Sequence, residues 1–363
     1  MKSAILSIGT ELTDGQITNR NAAWLSAKTK PLGFRCVLHL CVPDDRSRIL
    51  EALRLCEEQA DLILLTGGLG PTSDDFTRDL VAEWSEEPLT FDESSWRHVN
   101  ERLTSRGYEV HDFQKQQCFF PRGSSILPNT QGTANGFRLQ VRGIDTVVLP
   151  GPPREVEAVW NDHVEPWLKN RGHVLDPIET RAWQLVGLAE PEVNAMMEPL
   201  VQGQNLEVGY RVHQPYVEFK ISFPRSQQRK ALSLVQKIEE TLKPWTLVKD
   251  DQDLASLLTT KLKSHRKIFV VDEVTGSFLF QRMGSALFRE SGIESVQFAN
   301  RQSTFADGLL LQLVALEETR IRVSWNEKST DIEAPMKSPM MAERRKQYFA
   351  EMAMAWWLRE IGS

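Results

Sequence analysis

The chain has 363 residues, 41% of them hydrophobic, which is enough for two or three separately cored domains. With 43 basic and 49 acidic residues the net charge is −6, so no global field draws it onto nucleic acid or an anionic membrane. No apolar run is long enough to span a bilayer, and the four cysteines (Cys36, Cys41, Cys56, Cys118) form no C-x-x-C pair.

In chain order, Ala4–Ile8 reads as a strand, Asn21–Leu32 as a helix ended by Gly33, and Phe34–Leu40 as a strand. Ile49, Ala52, Leu53 and Cys56 make one apolar helix face within Asp44–Gln59. Leu62–Thr66 is apolar without alternation, the pattern of a strand buried on both faces. Helices are expected near Asp75–Trp84 and Asp92–Gly107, strands at Phe137–Val141 and Thr146–Leu149, and a closing helix at Arg154–Leu168. Strand–helix alternation predicts a mostly parallel sheet covered on both faces, with ligands beyond the strand C-termini. The Gly67 loop and the turn after Leu149 are therefore expected to lie together.

Gly172 and Pro177 bracket a short polar link. Beyond it, 178–245 reads as strand, helix (Pro191–Leu200), two strands and helix (Gln227–Leu242). Within Tyr216–Phe223, Val217, Phe219 and Ile221 face one way and Glu218, Lys220 and Ser222 the other. After Asp250–Asp251 come a helix (Leu254–His265), a buried strand (Ile268–Val271), a helix (Phe278–Ser291) and a long helix from Met340 to Ile361. Trp356 and Trp357 in that last helix are expected in the core. The fold class is thus α/β in three domains: 1–170 with a mostly parallel sheet, a small α+β connector at 171–248, and an α/β domain at 249–363.

The Thr66-Gly67-Gly68-Leu69-Gly70-Pro71-Thr72-Ser73-Asp74-Asp75 stretch runs from strand through glycines to a helix start, which presents free N–H donors to a phosphate. Asp74 and Asp75 could cap that helix, hold Mg²⁺ or act in acid–base work, and an ordinary βα turn remains an alternative. Ser7-Ile8-Gly9-Thr10-Glu11-Leu12 is a weaker strand–turn signal. Pro150-Gly151-Pro152-Pro153 stiffens a third loop, because proline fixes φ near −65°. The seven histidines show no metal-ligand spacing, so metal chemistry would fall to carboxylates. A cytoplasmic setting is expected from the reduced cysteines and from an N-terminus that becomes polar too soon for a secretory signal.

Together these segments identify residues 1–170 as resembling a CinA-type domain of the molybdopterin-binding fold shared with Mog and MoeA proteins. The matching pieces are Gly9-Thr10-Glu11-Leu12, Gly15-Gln16-Ile17 with Asn19 and Asn21, Thr66–Thr72 with Asp74-Asp75-Phe76-Thr77, Gly132-Thr133-Ala134 with Gly136-Phe137, and Pro150–Pro153. The resemblance implies a cation-dependent ADP-ribose pyrophosphatase that yields AMP and ribose 5-phosphate. It implies a divalent cation (Mg²⁺, Mn²⁺ or Co²⁺), with a monovalent one as an optional companion. Asp75, Asp74 and Asp44 are the catalytic candidates. Asp74, Asp75 and Glu11 are the metal candidates. Gly9, Thr10, Asn21, Gly67, Gly68, Gly70, Lys115, Gly132, Thr133, Gly151 and Pro152 are the candidates for holding ADP-ribose or a related pyrophosphate nucleotide. Lys115 follows Gln114, where the family more often has asparagine, and a solvated surface lysine is the competing reading.

The last domain resembles nicotinamide mononucleotide amidohydrolase, whose signature is Ala-Glu-Ser-Cys-Thr-Gly-Gly. Here the matching place reads Val271-Asp272-Glu273-Val274-Thr275-Gly276-Ser277, with Glu273 for the serine nucleophile and Val274 for the cysteine. Later, Phe298-Ala299-Asn300 and Ser303 stand where a tyrosine–serine–asparagine run and a lysine are expected. A carboxylate cannot replace a lysine-activated alkoxide, so a degenerate deamidase site is expected at Glu273, Val274, Thr275 and Gly276. The connector resembles a KH module but lacks the Gly-x-x-Gly loop, with only Gly203-Gln204-Asn205 and Gly209. A spacer or homodimer role is expected for it, without nucleic acid or membrane partners. A non-catalytic nucleotide-binding scaffold and a molybdopterin-binding enzyme are the alternative functions.

Overall fold

The computed structural model describes residues 1–170, 176–287, 295–299, 308–335 and 341–361, in two compact units, Met1–Ile178 and Glu179–Ser363. Gly172, Asn300, Ser303 and Met340 lie outside the described residues.

In the first unit the order is β1 (Lys2–Ile8), α1 (Thr10–Thr13), α2 (Arg20–Thr29), β2 (Arg35–Val42), α3 (Arg46–Gln59), β3 (Leu62–Thr66), α4 (Thr77–Ser85), β4 (Leu89–Phe91) and α5 (Glu93–Ser105). A 3₁₀ segment at Asp112–Cys118 leads to β5 (Phe119–Pro121), β6 (Ser125–Leu127), β7 (Gly136–Val141) and β8 (Ile144–Leu149). The closing helix is α6 (Pro153–Val159), a π-turn at Trp160–Val164, and α7 (Glu165–Asn170). The main sheet runs β2-β1-β3-β8-β7-β6, with β2, β1, β3 and β8 parallel. The apolar run in β3 divides between the two faces. Ile63 and Leu65 join Ala4, Leu6, Ile49, Leu53, Leu80 and Val81 in one core, while Leu62 and Leu64 join Ile5, Leu25, Val147, Val156 and Trp160 in the other. Burial of each leucine, isoleucine or valine among them contributes about 1.5–3 kcal/mol.

The second unit opens with β9 (Ile178–Leu185), α8 (Glu190–Val201), β10 (Glu207–His213), β11 (Tyr216–Pro224), α9 (Gln228–Leu242) and β12 (Thr246–Lys249), in a sheet ordered β10-β11-β9-β12. It continues through α10 (Leu254–Leu262), β13 (Lys267–Asp272), α11 (Phe278–Leu287), β14 (Ser295–Ala299), β15 (Leu309–Glu317), β16 (Arg320–Trp325), β17 (Lys328–Glu333) and α12 (Ala342–Glu360). These strands form a sheet ordered β14-β13-β15-β16-β17. The meander β15–β17 has no counterpart among the elements expected from sequence. Val186, Tyr216 and Val248 share one core with Leu258, Val270, Leu311 and Trp357, so both sheets of this unit are joined by a common interior. Trp356 and Trp357 are buried, and Trp357 Nε1 donates to the Ser324 carbonyl at 2.9 Å. Glu218, on the face of β11 opposite Val217, Phe219 and Ile221, is buried as well. Gln184 Nε2 (2.6 Å) and Arg211 Nη2 (2.9 Å) donate to its carboxylate.

Candidate functional site

The C-terminal ends of β2, β1, β3 and β8 lie side by side, and the loops singled out in the sequence leave from those ends. Gly9 N donates to the Val42 carbonyl at 3.0 Å, and Gly67 N to the Leu149 carbonyl at 3.2 Å. Asp44 Oδ2 accepts from Thr10 N (2.8 Å) and Thr10 Oγ1 (2.9 Å), fastening the ends of β2 and β1 together. Asn21 Nδ2 donates to the Gly151 carbonyl at 2.7 Å, which ties the start of α2 to the proline loop. The structure thus gathers Gly9, Thr10, Asn21, Asp44, Gly67, Gly68 and Gly151 on one edge, with Pro152 as the N-cap of α6. The expected meeting of the Gly67 loop with the turn after Leu149 is present.

The glycine loop is shaped by α4. Thr77 Oγ1 donates to the Gly67 carbonyl at 3.0 Å, Thr77 N to the Gly68 carbonyl at 3.2 Å, and Arg78 Nη2 to the Leu69 carbonyl at 2.8 Å. In a trans peptide the N–H points opposite to the C=O of the same unit. The N–H groups of Gly68, Leu69 and Gly70 are therefore turned away from their α4 partners, and among the described residues none of them donates a hydrogen bond. Three successive free backbone donors are the kind of group that can serve an anion. Glycine is required here for two reasons. Gly67 and Gly68 have φ of 101° and 65°, and a Cβ would come within 2.2 Å of the Ile8 carbonyl oxygen and 2.1 Å of Thr77 Oγ1 respectively.

Asp75 corrects one expectation. The cap of α4 is Phe76, with no side-chain hydrogen bond, and neither Asp74 nor Asp75 fills that role. Asp75 Oδ2 instead accepts from Thr72 N at 3.0 Å and from Thr72 Oγ1 at 2.5 Å, closing the loop on itself against Gly70. Asp74 is exposed. Glu11 folds back over Gly9. Among the described residues, no three His, Cys, Asp or Glu side chains are grouped as a metal site.

Lys115 pairs with Asp112 at 2.7 Å, lies 5.5 Å from the centroid of the Trp96 ring, and is exposed. Its neighbour Gln116 is the residue that reaches the loop, with Nε2 donating to the carbonyls of Thr72 (3.1 Å) and Asp75 (2.8 Å). Gly132 is buried against the Glu155 carboxylate. The loop that holds Gly132 and Thr133 is fixed by Asn129, whose Oδ1 accepts from Gln131 N and Gly132 N and whose Nδ2 donates to Ala134 O and Glu155 Oε2. Burial pushes the Glu155 carboxyl above its ordinary value, opposed by the Asn129 amide and by Arg102 and Arg106. Sequence reasoning missed Arg78, Gln116, Asn129 and Glu155.

In the second unit, Asp272 Oδ1 accepts from Val274 N (3.1 Å) and Thr275 N (2.7 Å), and the Thr275 hydroxyl donates to its other oxygen. Leu279 N donates to Thr275 Oγ1 at 3.1 Å, so the buried Thr275 starts α11 and takes no part in an open site. Glu273 and Gly276 line a cavity of about 520 Å³ with Asp272, Ser277, Phe280, Phe298 and Ala299.

Residues 4–170 match the family model described as a probable molybdopterin binding domain. The first unit is thus an α/β domain of the molybdopterin-binding class. Over 287 residues the chain is 34% identical to a putative competence-damage inducible protein of Caldanaerobacter subterraneus subsp. tengcongensis, covering 78% of this chain and 69% of the relative. It is 31% identical over 288 residues to that of Desulforamulus reducens, covering 78% and 70%. The chain belongs to the competence-damage inducible (CinA) family. A crystal structure of CinA from Thermoplasma acidophilum, a protein of unknown function, is 28% identical with a TM-score of 0.43, covering 46% of this chain and 96% of that one.

Proposed function

We propose that the first unit hydrolyses the pyrophosphate of ADP-ribose or a closely related nucleotide. Water adds to one phosphorus and the bridging P–O bond breaks, releasing AMP and ribose 5-phosphate. The observation that carries this reading is the run of N–H groups at Gly68, Leu69 and Gly70 that donate no hydrogen bond among the described residues, next to Asp74 and Asp75. The donor set fits a hard divalent cation, because Mg²⁺ is commonly held by one or two carboxylates with substrate phosphates and water completing its shell. Asp75 with Asp74 would hold it, and Glu11 is the further candidate. Bound there, the cation would neutralise phosphate charge and acidify a coordinated water. Asp75 also stands ready to orient the attacking water, its Oδ2 fixed by Thr72. Asp44 is committed to Thr10 and keeps the β1 and β2 loops in register.

The test is AMP release from ADP-ribose by purified protein with Mg²⁺, Mn²⁺ or Co²⁺. Asp75→Asn and Asp74→Asn are expected to lower turnover by at least about 100-fold with the fold intact, the scale of a lost acid–base group. Unchanged turnover in both variants removes these carboxylates from the mechanism, and saturable binding without consumption favours a nucleotide-binding scaffold. The matched family description favours one further reading, in which the cradle takes a molybdopterin phosphate. Titration calorimetry with ADP-ribose and with molybdopterin separates the two. In the second unit we propose that amidohydrolase activity is lost, since Glu273 and Val274 offer no hydroxyl or thiol at the expected nucleophile position.

A further inference from the structure

Arg78 is a cation in the wrong place for stability. It is 2% exposed, directly beneath the glycine loop, with its guanidinium 5.6 Å from the centroid of the Phe120 ring. An arginine carries five N–H donors, and here Nη2 serves the Leu69 carbonyl while Nε and Nη1 are buried without a hydrogen-bond partner among the described residues. A buried charge that recovers so little of its hydration is a net expense. An apolar side chain of similar volume against Phe120 would be neutral or better for folding. A local rule broken in this way, under a candidate phosphate site, points to function.

The geometry shows what the residue supplies. By gripping the Leu69 carbonyl from the α4 side, Arg78 turns the Gly70 N–H away from α4, the last of the three donors in the cradle. Thr77 does the same for the Gly68 and Leu69 amides. The two hydroxyl and amide contacts of Thr77 are uncharged, whereas Arg78 adds a full positive charge shielded from water by Phe120 and the loop itself. At low local dielectric such a charge acts over several ångströms on an anion seated in the loop. Asp75 is the opposing charge that most favours the charged form of Arg78, and its carboxylate is already turned to Thr72.

We propose that Arg78 is a positioning residue, a buried cation that fixes the donor-outward form of the Gly67–Gly70 backbone and makes it selective for a phosphate-bearing anion. This rests on the reading of the loop as a phosphate site. It does not require that the bound phosphate be hydrolysed. Arg78 does not touch the ligand; it acts through the Leu69–Gly70 peptide and through its field.

The experiment compares full-length wild type with Arg78→Met and Arg78→Lys. It measures thermal midpoint, binding of inorganic pyrophosphate and ADP-ribose by calorimetry, amide exchange of residues 67–75, and AMP release. Arg78→Met is expected to fold with an unchanged or raised midpoint, to bind pyrophosphate at least tenfold more weakly, and to exchange the loop amides faster. Arg78→Lys, which keeps the charge and can keep one donor on the Leu69 carbonyl, is expected to recover part of that binding. Wild-type affinity in Arg78→Met overturns the proposal. So does failure of both variants to fold, which makes Arg78 a structural residue only. Wild-type protein that binds pyrophosphate without releasing AMP removes the hydrolase reading and leaves the Arg78 comparison intact. Wild-type protein that binds neither compound overturns both.

Discussion

Gly15, Gly67 and Gly68 all have positive φ, yet their surroundings make very different demands. Gly15 has a φ of 71° and no atom within 4 Å of the point a Cβ would occupy, so Gly15→Ala meets only the left-handed backbone penalty, about 1–2 kcal/mol. At Gly67 the added carbon would meet the backbone oxygen of Ile8, which cannot swing aside without pulling β1 from β3. Urea denaturation is expected to show Gly67→Ala losing at least about twice as much stability as Gly15→Ala, since an overpacked contact adds about 1–3 kcal/mol to the strain. Equal, small losses would mean that the loop is not pinned as described. The glycines are legible as a loop in the sequence, because strand, glycines and helix stand in order. Which glycine is crowded is not, since Ile8 becomes a neighbour only through the β1–β3 pairing. Arg78 leaves a fainter trace that could have been followed: it lies three and four residues before Val81 and Ala82, on the buried side of α4, where a charge is out of place. Asp75 stands in the expected neighbourhood but performs a different local task. A short carboxylate beside Thr72 closes its own turn more readily than it reaches forward to a helix.

Caps show how much of an element can be read from local chemistry alone. Asp92 begins α5, its Oδ1 accepting from Ser95 N and Ser94 Oγ at 2.6 Å each. Burial raises the Asp92 carboxyl, but the Ser94 and Ser95 bonds outweigh it and the net shift is below the ordinary value of 3.8. A carboxylate depressed in the folded state contributes stability that is fully present above its unfolded value and lost as pH falls through the folded one. Asp92→Ala is therefore expected to lower stability by about 1 kcal/mol near neutrality. The difference from wild type should shrink as pH drops below 3.8, as followed by denaturation at each pH. A constant difference down to the acid limit would exclude the charged cap as its origin. Strands are less evenly legible. β3 is plain because an unbroken apolar run fits a sheet covered twice. β11 has the expected period but a different environment, since alternation marks two faces without saying that both are covered. β15 to β17 escape because Arg320, Arg322 and Asp331 put charges into strands whose stability comes from antiparallel pairing; Arg322 and Arg320 both bond Asp331 across the β16–β17 ladder.

At the scale of the whole molecule, the division of the core decides what can stand alone. The first unit has its two cores on the faces of one sheet, and among the described residues every member of both lies before residue 178. A fragment of residues 1–178 is accordingly expected to unfold cooperatively and, on the function proposed above, to release AMP from ADP-ribose at a rate close to the full chain. The three-domain expectation placed a boundary near residue 249, and there the interior is continuous. Val186, Tyr216 and Val248 pack with the C-terminal residues, and the buried Glu351 on α12 accepts from the Tyr216 hydroxyl and from Arg282. Cutting at that point would strip apolar cover from α10 and α12 and leave the Arg282–Glu351 pair open to water on one side. Partial removal of a buried charge network costs about 3–5 kcal/mol, a large share of the stability of a domain this size. Residues 249–363 alone are therefore expected to give a broad, non-cooperative melt, whereas 179–363 should melt in a single transition. The longer fragment is the proper object for the amidohydrolase assay. Ammonia release from nicotinamide mononucleotide by folded 179–363 would show that Glu273 has not silenced the site, and its absence from a folded unit would count as loss of chemistry and not as loss of structure.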